Sequence, residues 1–291
     1  PAPLEGVVYG PQRSLYPIAV PKLKNVGDGA DSSGVGAMMG QVIANDLYLS
    51  GYFKVLDPRA YIANQKTEGY TPNSIKFQDW INIGTQGLVK GGYAITGSRL
   101  WADIRLFEVG KGGQIFGKVF KGDVKDARVI AHRFADAVVR HFSGEPSVFL
   151  TRIALVMKSR WGKEVGVMDY DGHGLSAVTG FKSLAMFPAW SYGGGLAYSV
   201  LQGTNWNLLM GKRLVADYPG MNTGAAFAPD GRMAVTLTKD GNAEIYVLSS
   251  SGKVVNRVTN HFADDLSPSW SPDGGRIAFV SNRAGSPQIY I

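Results

Sequence analysis

The sequence predicts a mixed α/β domain followed by an all-β domain built from repeated four-stranded units. Strand-like and helix-like runs alternate in the first half, whereas one strand–turn–strand pattern recurs in the second. The chain also has 38 glycines in 291 residues, which suits a fold with many tight turns. This length is about that of two domains, and we expect them at residues 1–146 and 147–291.

The first domain reads as β-α-β-α-β-β-β-α. Its predicted strands are Tyr16–Val20, Phe53–Leu56, Leu88–Thr96, Arg99–Val109 and Gln114–Phe120. Its predicted helices are Val35–Leu49, Phe77–Ile83 and Asp126–Phe142. Ser32 or Ser33 can cap the first helix, and Gly51 can end it. The last helix is expected to end at Gly144.

Three glycines near the start of the first helix superficially resemble a dinucleotide-binding fingerprint. They are Gly34, Gly36 and Gly40. A true fingerprint places its glycines directly after the strand, whereas about 13 residues separate Val20 from Gly34 here. Met39 also occupies the place of the third glycine. We therefore interpret these glycines as small residues that allow close packing of the helix, and we expect no bound cofactor.

The second half contains one template three times, beginning at Phe187, Gly224 and Pro268. An aromatic residue ends a strand, a tight turn follows, and an apolar strand leaves. The last two copies carry Pro-Asp-Gly at the turn, which preorganises a hairpin. The alanine of the departing strand recurs about every 40 residues, a spacing typical of four-stranded propeller blades. These marker alanines are Ala154, Ala197, Ala234 and Ala278.

A third strand follows each marker alanine. These strands are predicted at Glu164–Met168, Trp206–Met210, Glu244–Leu248 and Gln288–Ile291. The aromatic residues of the template, Trp190, Phe227 and Trp270, are expected to fill the core between neighbouring blades. The sequence thus predicts an incomplete propeller of a little over three blades.

Composition and motif content exclude several classes of function. Lysine and arginine number 30 against 23 acidic residues, giving a net charge of +7, but they are scattered, so no nucleic-acid partner is expected. No apolar run is long enough to cross a bilayer, so no membrane insertion is expected. The chain has no cysteine. The four histidines lack metal-ligand spacing, and Asp169–Gly172 reads as a turn, not a calcium loop, so no metal is expected. With no nucleophile elbow either, no catalytic residue is predicted.

Several segments together resemble the TolB family, the periplasmic propeller proteins of the Tol-Pal system. The segments that carry the resemblance are Asn45–Asp57, Thr151–Val156, Val167–Gly172, Phe187–Ser191, Ala226–Gly231, Ser269–Gly274 and Ser281–Tyr290. The resemblance implies a non-enzymatic adaptor of the cell envelope with a six-bladed propeller. Further blades are then expected beyond Ile291, and Pro1 is expected to be a processed or trimmed start.

The resemblance also implies partners and the residues that bind them. Members of the family bind the peptidoglycan-associated lipoprotein Pal at one mouth of the propeller, which colicin-type bacteriocins also exploit, and their N-terminal arm communicates with TolA. Carried onto this chain, the partner-binding residues are Met221, Asn222, Thr223, Asp264, Asp265, Leu266 and Ser267. The chain departs from the family at Met221, where histidine is usual, and at Leu266 and Ser267, where a threonine–glutamate pair is usual.

The first 17 residues form the corresponding arm. Four prolines punctuate it, so it cannot be one continuous central strand, but an extended arm can bind elsewhere.

Two other classes of protein use similar repeats. One is the propeller that gates a prolyl-oligopeptidase-type hydrolase, which requires a catalytic domain downstream. The other is a propeller that binds a glycan or small molecule in its central channel.

Overall fold

The computed structural model describes residues 15–28, 34–64 and 67–291. The chain divides into two compact units, of which the first ends at Thr151 and the second begins at Arg152. Residues 1–14 of the predicted arm and the two predicted helix caps, Ser32 and Ser33, lie outside the described residues. No helix within the described ranges is both long and apolar enough to cross a membrane.

The first unit contains one six-stranded mixed sheet with helices. Its strands are β1 (Tyr16–Ala19), β2 (Lys24–Asn25), β3 (Phe53–Val55), β4 (Gly87–Thr96), β5 (Arg99–Glu108) and β6 (Gly113–Asp123). Its α-helices are α1 (Val35–Leu49), α2 (Phe77–Asn82) and α3 (Ala127–Ser143). The strand order is β3-β1-β4-β5-β6, and β2 pairs in parallel with β4. Every predicted strand and helix of this unit is confirmed, and β2 is an addition.

Close packing explains the glycines of α1. A Cβ atom on Gly36 would lie 2.4 Å from Cε1 of Tyr93 and 2.5 Å from the carbonyl oxygen of Leu23. A Cβ atom on Gly40 would lie 3.0 Å from the carbonyl oxygen of Pro21. No larger side chain fits without moving the backbone opposite. The interpretation as packing residues is confirmed for Gly36 and Gly40. It is wrong for Gly34, where a Cβ atom would meet nothing within 4 Å and a φ of 65° at the start of the helix favours glycine instead.

The second unit consists of four separate antiparallel sheets, which we call blades 1 to 4. Blade 1 contains β7 (Arg152–Ser159), β8 (Gly162–Asp169) and β9 (Ser176–Ala177). Blade 2 contains β10 (Ala185–Trp190), β11 (Leu196–Gln202), β12 (Asn205–Met210) and β13 (Arg213–Ala216). Blade 3 contains β14 (Asn222–Phe227), β15 (Met233–Leu237), β16 (Glu244–Leu248) and β17 (Val254–Arg257). Blade 4 contains β18 (Asp265–Trp270), β19 (Ile277–Ser281) and β20 (Gln288–Tyr290).

The predicted turns and inter-blade aromatics are found in this unit. In the Pro-Asp-Gly turn between β14 and β15, Gly231 has φ 88°, and the amide of Ala228 donates to the carbonyl of Arg232 at 2.9 Å. Phe227 packs against a core cluster shared by blades 2 and 3. Trp270 packs against a cluster shared by blades 3 and 4. Blades thus join through apolar faces, as the repeat predicts.

Candidate partner-binding rim of the propeller unit

The first strands of neighbouring blades lie side by side, and this fixes one end of the propeller unit. A Cβ atom on Gly224 of β14 would lie 3.7 Å from Cδ of Pro268 and 3.9 Å from Cα of Ser267, both on β18. Because the strands of a blade alternate in direction, the loops before β14 and β18 lie at the same end as the β15–β16 hairpin turn. We call this end the rim, and the Pro-Asp-Gly turns lie at the opposite end.

A bulge interrupts the first strand of blades 2, 3 and 4 near the rim. The pairing register shifts between Met186 and Ala189, between Thr223 and Ala226, and between Leu266 and Ser269. At each bulge one residue has positive φ: Phe187 at 56°, Gly224 at 65° and Ser267 at 54°. Two of these are not glycine, so the sheet imposes a strained conformation there. The bulge turns the backbone of β18 at Leu266 and Ser267, within the predicted site.

Burial divides the seven predicted site residues into two groups. Asn222, Thr223 and Asp265 are buried, with exposed fractions of 0%, 4% and 0%. Met221 and Leu266 are half-buried, whereas Asp264 and Ser267 are exposed. The surface that the predicted segments offer to a partner therefore consists of these last four residues, and the buried three position them.

Asn222 is the centre of a local hydrogen-bond network. Its Nδ2 donates to the carbonyl oxygens of Trp206 at 2.7 Å and Tyr218 at 2.6 Å, while its Oδ1 accepts from the amide of Tyr218 at 3.0 Å. Its own carbonyl accepts from Ser199 Oγ at 2.9 Å. Asn222 thereby ties the loop 217–221 to blade 2. Buried amides of this kind are costly to leave unpaired, so the residue holds the loop in place.

Asp265 has a similar structural role at the start of β18. Its Oδ2 accepts from Nη2 of Arg283 at 2.7 Å, and its amide donates to the carbonyl of Ala243 at 2.8 Å. The neighbouring Asp264 accepts from the amide of Ala243 at 3.0 Å through Oδ1. The carboxylate of Asp264 and the amide of Asp265 thus fasten the start of β18 to the β15–β16 hairpin, whereas the carboxylate of Asp265 binds Arg283 within blade 4.

The loop 258–264 carries a rim residue that the sequence did not indicate. Phe262 has an exposed fraction of 87%, and its ring lies 4.3 Å from the ring of His261 between centroids. Its neighbours in the loop are firmly held, because Asn242 Nδ2 donates at 2.8 Å to the carbonyls of both His261 and Ala263. The loop therefore presents a large apolar side chain to solvent from a fixed backbone. Its only sequence signal is a large aromatic residue in a short connection between strands.

Glu244 is the buried anchor of this loop. Its carboxylate, which has an exposed fraction of 0%, accepts from the amide of His261 at 2.7 Å, from Thr259 Oγ1, and from Nη2 of Arg257 at 3.1 Å. Glu164 and Thr179 of blade 1 repeat the pairing of Glu244 with Thr259. In both blades a glutamate near the start of one strand (β8 or β16) thus binds a threonine that follows the next strand (β9 or β17), and in blade 3 this contact extends to the rim loop.

The β15–β16 hairpin adds charge to the rim. The Lys239 ammonium beside Asp240, together with the hydroxyl of Tyr246, holds the pKa of that carboxyl below its usual range. Burial, and then the bond to Asp240, raises the pKa of Tyr246 to about 12. Exposed apolar groups flanked by paired charges, on loops with fixed backbones, suit recognition of a protein surface.

Two family models cover most of the chain. Residues 7–115 match the TolB amino-terminal domain, and residues 139–291 match the TolB beta propeller domain. The chain is similar to the Tol-Pal system protein TolB of Anaeromyxobacter dehalogenans strain 2CP-C, at 36% identity over 91% of this chain and 62% of that relative. It is also similar to the protein TolB homolog of Chlorobium chlorochromatii, at 32% identity over 83% of this chain and 56% of that relative.

The fold has a counterpart among solved structures. The crystal structure of TolB from Acinetobacter baumannii matches with a TM-score of 0.76 at 24% identity, over 95% of this chain and 68% of that one. The chain spans less than two thirds of the length of the two curated relatives. The propeller model alone covers more than half of the chain, and the resemblance seen in the sequence is confirmed. The chain belongs to the TolB family.

Proposed function

We propose that this chain is a non-enzymatic periplasmic adaptor that binds a Pal-like peptidoglycan-associated lipoprotein through the rim. Two curated relatives are named as the Tol-Pal system protein TolB and a TolB homolog, which supports a role in that system. In this role the protein supports outer-membrane integrity and cell division, and bacteriocins can use the same surface. A TolA-like protein is the proposed partner of the N-terminal arm.

The observation that carries this proposal is the rigid loop 258–264. A docking residue contributes most to affinity when its backbone is already fixed, because little entropy is lost on binding. Phe262 is 87% exposed on a loop held by Asn242 and Glu244. Large exposed aromatic residues are frequent anchors of protein interfaces. The half-buried Met221 and Leu266 extend the apolar part of the rim.

The departures from the family fit a partner with a more apolar surface. Met221 replaces the usual histidine, and Leu266 and Ser267 replace the usual threonine–glutamate pair, so the site has lost a charge and gained apolar area. We propose that the Pal-like partner of this protein has a matching apolar patch. Such a match preserves affinity because apolar area buried at an interface core contributes directly to binding.

The test is a calorimetric titration with the Pal-like domain of the same organism. The variant Leu266→Arg places a charge in the rim and is expected to abolish saturable binding, since an unpaired charge is costly at an interface core. The control Leu214→Arg lies on β13, away from the rim, and Leu214 is already 50% exposed. Equal affinity for Leu266→Arg and the original protein would overturn the proposal, as would an equal loss in both variants.

The arm needs a separate experiment. Deletion of residues 1–14 is expected to remove binding to a TolA-like protein while leaving the titration with the Pal-like domain unchanged. TolA binding that survives the deletion would contradict the role proposed for the arm, without affecting the role proposed for the rim.

A further inference from the structure

The turn that joins β7 and β8 carries an exposed tryptophan between cations. Trp161 has an exposed fraction of 53%. The guanidinium carbon of Arg160 lies 4.5 Å from the centroid of its ring, and Nζ of Lys182 lies 5.6 Å from it. Lys158 and Lys163 are exposed on the adjoining strands. We call Lys158, Arg160, Trp161, Lys163 and Lys182 the Trp161 platform.

The backbone of the platform is held in place. The amide of Lys163 donates to the carbonyl of Ser183 at 3.2 Å. Gly162 has φ 145°, and a Cβ atom there would lie only 2.5 Å from that same carbonyl oxygen, so a side chain at this position would push the turn away. Lys182 has φ 54°, a conformation that a non-glycine residue adopts only when its surroundings impose it. The β7–β8 turn and the segment at Lys182 and Ser183 therefore form one rigid surface.

The platform also keeps its positive charge. None of the ion pairs found between described residues includes any of its four cations. The nearest acidic residue along the chain, Glu164, is 5% exposed and accepts a hydrogen bond from Thr179 Oγ1. Its carboxylate is thus directed inward. Four cations within 25 residues of chain remain available to an anionic group from outside.

We propose that the Trp161 platform binds an acidic peptide segment of a protein partner. Carboxylates pair well with guanidinium and ammonium groups, and an arginine–tryptophan pair is a frequent anchor at protein interfaces. A cation already lies against the indole ring, which favours carboxylates over a sugar that would stack on that face or an acyl chain that would surround it. Because β7 carries the marker Ala154, it corresponds to the second strand of blades 2 to 4, and the β7–β8 turn therefore lies at the rim. The platform shares no residue with the loop 258–264.

The test uses the full chain and a fluorescently labelled decaglutamate peptide, with binding followed by fluorescence anisotropy at low salt. The double variant Arg160→Gln with Lys182→Gln is expected to weaken binding by at least about tenfold, because two desolvated charge pairs are lost. Trp161→Ala is expected to weaken it as well. The variant Arg160→Lys with Lys182→Arg keeps both charges and is expected to bind the peptide about as well as the original protein.

The matched control removes two charges elsewhere in the same unit. Lys212→Gln with Lys253→Gln alters exposed lysines in turns at the opposite end of blades 2 and 3, and it is expected to change affinity less than about threefold. An equal loss in the control would show that net charge alone attracts the peptide and would overturn the proposal. So would absence of measurable binding to the original protein. Binding of phosphatidylglycerol vesicles that depends on the platform, without binding of the peptide, would replace it by a lipid site.

Discussion

The guanidinium carbon of Arg232, on blade 3, lies 4.7 Å from the centroid of the Trp270 ring, on blade 4. Nη2 of Arg232 also donates to the carbonyl of Gly274 at 2.9 Å. The same arrangement joins blades 1 and 2, where the guanidinium carbon of Arg152 lies 5.2 Å from the ring of Trp190. Both arginines stand two residues before a marker alanine. The repeat thus supplies a cation–aromatic contact from one blade to the next.

Arg232→Ala is expected to lower the free energy of unfolding by about 1 to 2 kcal/mol, through loss of the contact with Trp270 and of the hydrogen bond to Gly274. The exposed ion pair of Arg232 with Asp230 contributes little. Urea denaturation measures this loss. Arg276→Ala is the matched control, because Arg276 occupies the same position of the repeat in blade 4 and is exposed. A change within about 0.5 kcal/mol is expected there. Equal losses in the two variants would contradict a specific inter-blade role for Arg232.

Glu244→Gln is expected to loosen the rim loop. The neutral amide weakens the bonds from Thr259, His261 and Arg257, which lowers the free energy of unfolding by about 2 kcal/mol. Hydrogen exchange at residues 258–264 should become faster. Glu164→Gln, the equivalent change in blade 1, should leave exchange at this loop unchanged. Unchanged exchange in Glu244→Gln would show that the loop does not depend on this anchor.

Tyr246 gives the stability of the protein a dependence on alkaline pH. Its pKa is raised from 10.0 to about 12, so the folded state favours the neutral phenol. This stabilisation is complete below pH 10 and is lost as the pH rises from about 10 through about 12. In Tyr246→Phe, the melting temperature should therefore fall less steeply over that range. Parallel curves for the two proteins above pH 10 would contradict the raised pKa.

The first unit contains a buried ion pair. Nζ of Lys90 lies 2.6 Å from Oε2 of Glu68, and both side chains are almost fully buried. Burial lowers the pKa of Lys90, while the bond to Glu68 opposes that shift. Lys90→Met leaves the carboxylate buried without its cation and is expected to cost about 3 to 5 kcal/mol of stability.

A double variant provides the control for this pair. Lys90→Met combined with Glu68→Gln removes both charges and is expected to recover part of the loss, because no unpaired charge remains buried. Denaturation of Lys90→Met, of Glu68→Gln and of the double variant gives the coupling energy of the pair. If Lys90→Met proved as stable as the original protein, Lys90 would not be needed to stabilise the buried carboxylate of Glu68, and the account of the pair would be wrong.

The sequence indicated features that depend on local chemistry. The blades were predictable because Pro-Asp-Gly forms its turn from nearby residues alone, and each copy repeats it. The strand β2 was missed because its two residues pair only through contact with β4. Positive φ at Phe187 and Ser267 also escaped prediction, since the sheet imposes it on residues that disfavour it.

The site was less predictable than the fold. The segments of the predicted site were placed by resemblance, which could not separate buried Asn222 and Asp265 from exposed Asp264 and Ser267. Their burial depends on hydrogen bonds to residues distant in sequence, such as Trp206 and Arg283. Phe262 was missed because its exposure follows from the path of a loop that distant side chains hold.

Photo-crosslinking from position 262 tests the adaptor proposal most directly. Phe262 would be replaced by benzoylphenylalanine, and Val255, which is 63% exposed on β17 and away from the rim, would be replaced in a parallel control. Both proteins would be irradiated with the Pal-like domain of the same organism. The proposal predicts a crosslink from position 262 and none from position 255. A complex that forms in solution but gives no crosslink at 262, or equal crosslinking from both positions, would contradict it.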